Sequence, residues 1–221
     1  QIELRLMAHL SGDKNLIEAF VNGEDIHKKT ASIIFNVPPE EVTEEMRYKA
    51  KSINFGIIYG MGAYGLAKEL DITPEEAQEF IDAYFINHPD VNKYIMNQIF
   101  SARNNGYVRT LLGRTRYIPE IKSDNQRIRK GAENIAINTP IQGTAADIIK
   151  LAMINIHREL ISAGYRSKMI LQVHDELLFD VYKPEAEKLT GQVRKAMENV
   201  VKLNVPLVVD CGTGDNWLEA H

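Results

Sequence analysis

Two apolar, β-rich runs, residues 169–173 and 177–181, stand three residues apart in a chain whose other patterned segments are nearly all helical. Short apolar runs on either side of the polar His174-Asp175-Glu176 predict a hairpin. With so few strand candidates, any sheet must be small and helices must supply most of the core. Residues 4–10 predict a short helix ending near Gly12, and residues 26–35 a second, before Pro38-Pro39. Thr43 followed by Glu44 and Glu45 is an N-cap with acidic first-turn residues, predicting a helix to about Tyr59. Thr73-Pro74-Glu75-Glu76 is a capping box with proline at the first helical position; it opens a helix to about Asn87, and another follows Pro89. Residues 107–119 predict short extended arms around a turn at Leu112-Gly113. A polar helix over 125–137 is expected to stop before Pro140, with a longer one over 142–163 closed by Gly164. A helix over 184–200 and a strand over 207–210 complete the pattern, and the fold class is α+β, mostly helical with a small antiparallel sheet.

A chain of 221 residues can bury a core without staples, and its single cysteine, Cys211, excludes an internal disulfide framework. No apolar run reaches membrane-spanning length, so no membrane partner is expected. The net charge of −4 excludes a generally basic binder but not a local basic groove. Apolar and helix-forming residues begin at once after Gln1, as though the chain were entered in mid-element, so a piece of something longer is expected.

Arg47, Lys51, Phe55 and Tyr59 recur in steps of four, each about 40° beyond the last on a helix, so all four share one face. Two cations followed by two aromatics suit a nucleotide, whose phosphates need neutralising and whose base needs an apolar surface. An ordinary amphipathic helix with core aromatics and solvated cations is the alternative. Adjacent acids at the tip of Gln172-Val173-His174-Asp175-Glu176 offer a hard oxygen ligand for a divalent metal, as phosphoryl transfer requires, or simply a polar turn. Gly60-Met61-Gly62-Ala63-Tyr64-Gly65 matches G-x-G-x-x-G, which signals a dinucleotide-dependent oxidoreductase only between a strand and a helix of a βαβ unit. No second strand ending in an acid follows, and no G-x-x-x-x-G-K-[ST] motif exists. Arg103, Arg109, Arg114, Arg116, Lys122, Arg127, Arg129 and Lys130 face only Glu120 and Asp124 within their stretch, a basic patch for nucleic-acid backbone or a solvated face. Asn138 and Gln142 bracket Pro140, where neutral amides can cap a helix or read minor-groove base edges.

Together these segments resemble a family A DNA polymerase, the DNA polymerase I family. Arg47-Tyr48-Lys49-Ala50-Lys51-Ser52-Ile53-Asn54-Phe55-Gly56-Ile57-Ile58-Tyr59-Gly60 is similar to the family's motif B, and Gln172-Val173-His174-Asp175-Glu176 to its motif C. Gln1-Ile2-Glu3-Leu4-Arg5 matches the latter part of motif A, D-Y-S-Q-I-E-L-R. Asp25-Ile26-His27, Leu112-Gly113-Arg114, Asn138-Thr139-Pro140-Ile141-Gln142-Gly143 and Asn216-Trp217 also stand in family order, so the resemblance covers essentially the whole chain. It implies template-directed DNA synthesis from deoxynucleoside triphosphates with two Mg2+ ions on a primer–template, in the cytoplasm at the nucleoid of a bacterium, with no obligate protein partner. It implies that Asp175 binds the metals with Glu176 in support, and that His27, Arg47 and Lys51 hold the triphosphate. By the same resemblance Phe55 packs on the nucleotide, Tyr59 sits near the templating base, Glu3 gates the sugar, and Gln1 lies beside the nucleotide through its backbone. Asn138, Gln142, His174, Arg114 and Arg116 would contact DNA.

Residues 1–36 are then a palm-to-fingers segment after a truncated motif A, residues 37–137 mainly fingers, and residues 138–221 palm with the motif C hairpin. The family's first catalytic aspartate falls three residues before Gln1, and thumb and first palm strands are expected upstream. These 221 residues alone are therefore expected to be inactive or nearly so, leaving a non-catalytic nucleic-acid or nucleotide binding module as the practical alternative. Asn134 stands where the family commonly has arginine.

Overall fold

Most of the helix signals become helices where the sequence marks them. The computed structural model describes residues 1–220. α1 (Ile2–Ser11), α2 (Lys14–Val21) and α3 (Ile26–Phe35) come first. Asp13 Oδ1 accepts the Leu16 N–H and Asp25 Oδ1 accepts those of His27 and Lys28, satisfying donors that a helix start leaves open. α4 (Glu44–Ile58) starts on Thr43, and α5 (Ala63–Leu70) follows it. α2 and α5 are missing from the sequence-based pattern because eight residues are too few to display a repeating apolar stripe. α6 (Pro74–Asn87) carries both halves of the capping box, and α7 (Pro89–Asn105) follows the second proline.

β1 (Tyr107–Arg109) and β2 (Thr115–Tyr117) pair antiparallel, with Tyr107 opposite Tyr117. α8 (Gln126–Ser162) corrects the break expected at Pro140, because one 37-residue helix runs through it. A proline inside a helix costs about 3 kcal/mol by removing an N–H and crowding the preceding turn. Here Ala136, Ile137, Thr139, Pro140, Ile141 and Thr144 are all buried, which offsets that cost. Asn138 and Gln142 consequently lie within the helix and cap nothing.

β3 (Lys168–Val173) and β4 (Glu176–Asp180) form the predicted second hairpin, and α9 (Ala186–Glu198) and α10 (Trp217–Ala220) follow. The class is α+β as expected, though the strands make two separate two-stranded sheets. Residues 207–210 are not a strand: the Val209 N–H donates to the Glu198 carboxylate instead of to a ladder. Among the described residues, no helix is long and apolar enough to cross a membrane.

Contacts divide the chain into two units, residues 3–144 with Gln1, and residues 145–221 with Ile2. The first unit contains a cluster of Ala102, Val108, Ile118, Ile121, Ala132 and Ala136 between α7, the first hairpin and α8. Its α2 is tied to the α6–α7 junction by a buried polar contact: Asp13 Oδ1 lies 3.0 Å from His88 Nδ1, whose ring is 4.7 Å from that of Tyr84. In the second unit, Ala152, Ile156 and Leu160 of α8 pack with Leu189 and Val193 of α9, and Met169, Leu177 and Phe179 of the hairpin close over them.

The loop between β1 and β2 is held to α8 within the first unit. Leu111 N–H donates to Thr144 Oγ1 at 2.9 Å, and Arg114 Nη2 donates to the Gly143 carbonyl at 3.0 Å. A Cβ on Gly143 would meet Thr110 Cγ2 at 2.6 Å, and Thr110 cannot turn away without losing the bond its Oγ1 accepts from Arg114 N–H. Gly143→Ala is expected to destabilise the chain by about 1–2 kcal/mol in urea denaturation, overpacking exceeding the gain in helix propensity. Burial disfavours ionisation of Asp13, but His88 and the Leu16 N–H outweigh it and hold its pKa below the ordinary value. A depressed carboxyl stabilises the fold above the unfolded-state pKa of about 3.9, and that contribution is lost as pH falls through the folded-state value. Asp13→Ala is expected to cost about 2–4 kcal/mol near neutrality, from the lost cap and an unpaired buried histidine. The gap to wild type should narrow on acidification, measured by denaturation at a series of pH values.

Candidate functional site

The face predicted on α4 exists, and α3 completes it. Arg47 lies in the first half of the helix and Lys51 at its middle, the former partly and the latter largely exposed. Phe55 and Tyr59 stack at 6.2 Å with planes 25° apart, and the His27 ring of α3 lies 6.0 Å from Phe55. Both aromatics are only half-buried, so the helix is not simply an amphipathic element with its aromatics in the core. Arg47 Nε donates to Asp25 Oδ2 at 2.7 Å, the same carboxylate whose other oxygen caps α3. Burial opposes ionisation of Asp25, yet Arg47 and the Lys28 and His27 N–H groups hold its carboxyl below the usual range. Burial pushes His27 below the ordinary histidine value; Asp25 pulls the other way, while Arg47 and Lys51 reinforce burial.

Beneath this face lies a residue to which the sequence reading assigned no role. Asn54 is fully buried, and its amide joins His27 Nδ1 at 3.1 Å to Thr30 Oγ1 at 3.1 Å. The signal was present: Ala50, Ile53 and Ile57 trace the buried stripe of α4, and an asparagine within such a stripe needs partners. Asp25 likewise is legible as an N-cap but not as the partner of Arg47.

At the other end of α4, Tyr59 Oη donates to Glu3 Oε2 at 2.5 Å and is also hydrogen-bonded to Gln142. Burial first, then the Glu3 carboxylate, pushes the Tyr59 phenol up to about 12, so it remains a donor at neutral pH. The Gln1 carbonyl accepts the Arg5 N–H, committing that backbone oxygen to α1. Gly60 follows with φ of 72°, a left-handed conformation, and a Cβ there would lie 2.8 Å from Asn134 Oδ1. The glycine pattern of residues 60–65 thus turns between two helices, α4 and α5, and not from a strand into a helix. This removes the structural condition for the dinucleotide reading. Asn134 Oδ1 and Asn138 Oδ1 are buried without hydrogen-bond partners.

The basic stretch is partly committed to the first unit itself. Arg103 donates to Glu133 at 2.5 Å, and Lys130 lies 3.6 Å from the same carboxylate, so an acid just beyond the stretch absorbs two of its charges. Arg114 reaches the Gly143 carbonyl, Arg116 reaches Thr139 Oγ1 at 3.2 Å, and Arg129 reaches the Ser123 carbonyl at 2.9 Å. Arg114 and Arg116 therefore brace the hairpin on α8 while their side chains stay exposed.

In the second unit, β3 and β4 meet in a two-residue turn of His174 and Asp175, with Val173 opposite Glu176. His174 adopts φ of 52°, and its carbonyl accepts from Gln172 Nε2 at 2.8 Å, which fixes the turn. Asp175 is exposed at the tip, whereas Glu176, the first residue of β4, is half-buried and engaged in interactions of its own. Among the described residues, no three His, Cys, Asp or Glu side chains are grouped to hold a metal. Asp175 fits a divalent ion as one carboxylate donor, since magnesium keeps several waters and takes one or two carboxylates plus substrate phosphates.

Comparison with known proteins places the chain in a family. The family model for DNA polymerase family A matches residues 1–219. DNA polymerase I of Caldicellulosiruptor bescii is 51% identical over 219 residues, 99% of this chain and 26% of that protein. DNA polymerase I of Geobacillus stearothermophilus is 51% identical over 220 residues, 100% of this chain and 25% of its own length. The chain thus spans about a quarter of the length of these relatives. Among solved structures, the POL domain of Pol1 from M. smegmatis, in complex with DNA primer-template and dNTP, superposes with a TM-score of 0.96 at 50% identity, covering 100% of this chain and 39% of that one. On a family match across nearly its whole length and a fold this similar, the chain belongs to DNA polymerase family A.

Proposed function

We propose that this chain carries the nucleotide-reading surface of a template-directed DNA polymerase. In that reaction the primer 3′-hydroxyl attacks the α-phosphate of a deoxynucleoside triphosphate, and pyrophosphate leaves. The observation that carries this reading is the α3–α4 surface, where His27, Arg47 and Lys51 stand beside the stacked, half-buried rings of Phe55 and Tyr59. Phosphoryl transfer leaves a protein little covalent chemistry to perform, so positioning and charge stabilisation are its main tools. Arg47 and Lys51 neutralise the triphosphate, Phe55 packs on the nucleotide, and Tyr59 sits near the templating base. Glu3, held by the Tyr59 phenol, narrows the space beside the sugar, and Gln1 borders the nucleotide through its backbone.

Residues 37–137 are fingers in this reading, residues 138–221 palm, and residues 1–36 lead from one to the other. Asn138, Gln142, His174, Arg114 and Arg116 contact the primer–template; the DNA and dNTP present with the M. smegmatis domain support such substrates. A divalent metal, magnesium in this reading, neutralises phosphate charge and polarises the reacting phosphorus when bound. Asp175 would hold it, with Glu176 beside it in support. The setting is the bacterial cytoplasm, where the chromosome lies.

Lys51→Ala is expected to weaken dNTP binding about tenfold or more, by removing a charge-assisted contact, while stability changes by less than about 0.5 kcal/mol because the side chain is exposed. Fluorescence titration with a labelled dNTP, beside a thermal scan, measures both, and unchanged affinity would count against the triphosphate role. Manganese serves as a paramagnetic stand-in for magnesium at the hairpin. It is expected to broaden the amide signals of His174 and Asp175 in wild type and to leave them sharp in Asp175→Asn. Equal broadening in both proteins would place the metal elsewhere.

A further inference from the structure

The two ring nitrogens of His27 have different surroundings. Nδ1 lies 3.1 Å from Asn54 Nδ2. The same amide also meets Thr30, whose Oγ1 lies 3.1 Å from both Asn54 Oδ1 and Nδ2. Asn54 has no exposure to solvent and His27 is 6% exposed, so water does not compete for these bonds. An amide nitrogen only donates, so a ring nitrogen facing it must accept. The neutral ring then carries its one proton on Nε2. Nε2 has no hydrogen-bond partner among the described residues, and it is not one of the buried polar atoms cut off from solvent.

We propose that Asn54 is a positioning residue that holds neutral His27 in the Nε2–H form, so that the ring donates to a phosphate oxygen of the nucleotide without needing to be charged. This rests on the nucleotide-binding reading above. The opposite tautomer would aim a lone pair at the anion and repel it.

The tautomer matters because the surroundings discourage protonation. Burial leads, and the cations Arg47 and Lys51 from α4 add to it, against Asp25 at the start of α3. A histidine held neutral has one proton to offer, and Asn54 decides which nitrogen offers it. Leucine at this position would fit the stripe but leave the ring free to choose, and aspartate would reverse the choice by accepting from Nδ1–H.

The test uses the full chain labelled with 15N-histidine. Long-range proton–nitrogen spectra above the His27 titration are expected to show Nδ1 bare and Nε2 protonated; a protonated Nδ1 in the neutral ring overturns the lock. Affinity for magnesium-dATP is then compared between wild type and Asn54→Asp from about pH 6 to 8.5, across the histidine range. The wild-type advantage is expected to grow with pH to roughly tenfold, the value of a hydrogen bond to a charged group. A ratio independent of pH overturns the donor role. Asn54→Leu, which removes the donor facing Nδ1, is expected to give a mixture of both ring forms, and an unchanged spectrum there also counts against the lock. If the wild type shows the Nε2–H ring but does not bind the nucleotide, the nucleotide reading fails and the tautomer lock stands.

Discussion

A fully buried amide joins α3 to α4, and the geometry of the surface above it depends on that contact. Asn54 is a polar residue within the buried stripe of its helix. A buried polar group without partners costs about 1–3 kcal/mol, so the two helices are favoured in the register that brings Thr30 and His27 to it. That register brings the His27 ring beside Phe55, and with it the capped start of α3, where Asp25 meets Arg47. Apolar contacts alone would tolerate small slips between α3 and α4. A satisfied buried network tolerates them far less.

A second constraint sits where the first hairpin meets α8. Gly143 has no room for a side chain against Thr110, and the bonds from Leu111 and Arg114 to Thr144 and Gly143 lie within a turn of Pro140. The helix survives its proline because its residues there are buried and its neighbours bonded. Asn138 and Gln142 are thereby placed one turn apart on a continuous helix, and Gln142 reaches the Tyr59 phenol at the end of α4. The two contacts fix opposite ends of one surface within the first unit.

Much of this was legible in the residues. Local chemistry marked the starts of α4, α6 and α7, since Thr43, Thr73 and Pro89 act within a single turn. It also marked the four-residue repeat that makes one face of α4 and the polar tip between β3 and β4. The failures share a cause. Pro140 reads as a break because intrinsic helix cost is local, whereas the burial that outweighs it comes from distant segments. Residues 207–210 read as a strand from composition, but a strand needs a partner, and none is supplied among the described residues. The partners of Asn54 and Asp25 were not legible for the same reason: each acts through residues more than twenty positions away, His27 and Thr30 for one and Arg47 for the other.

The charged groups of the α3–α4 surface therefore fall into a fixed half and a yielding half. The Asp25–Arg47 pair is more than one-third exposed on both sides, and a pair of that kind contributes about 0–1 kcal/mol. An anion can draw Arg47 away from Asp25 at little cost, and Asp25 keeps its bonds to the start of α3 when it does. The Asn54 amide cannot be drawn away in that manner, since breaking its bonds strands a buried donor and acceptor. A surface built on both can present a histidine in one defined orientation while its arginine adjusts to the ligand. Precision is confined to the part that water cannot reach, and adaptability to the part that it can.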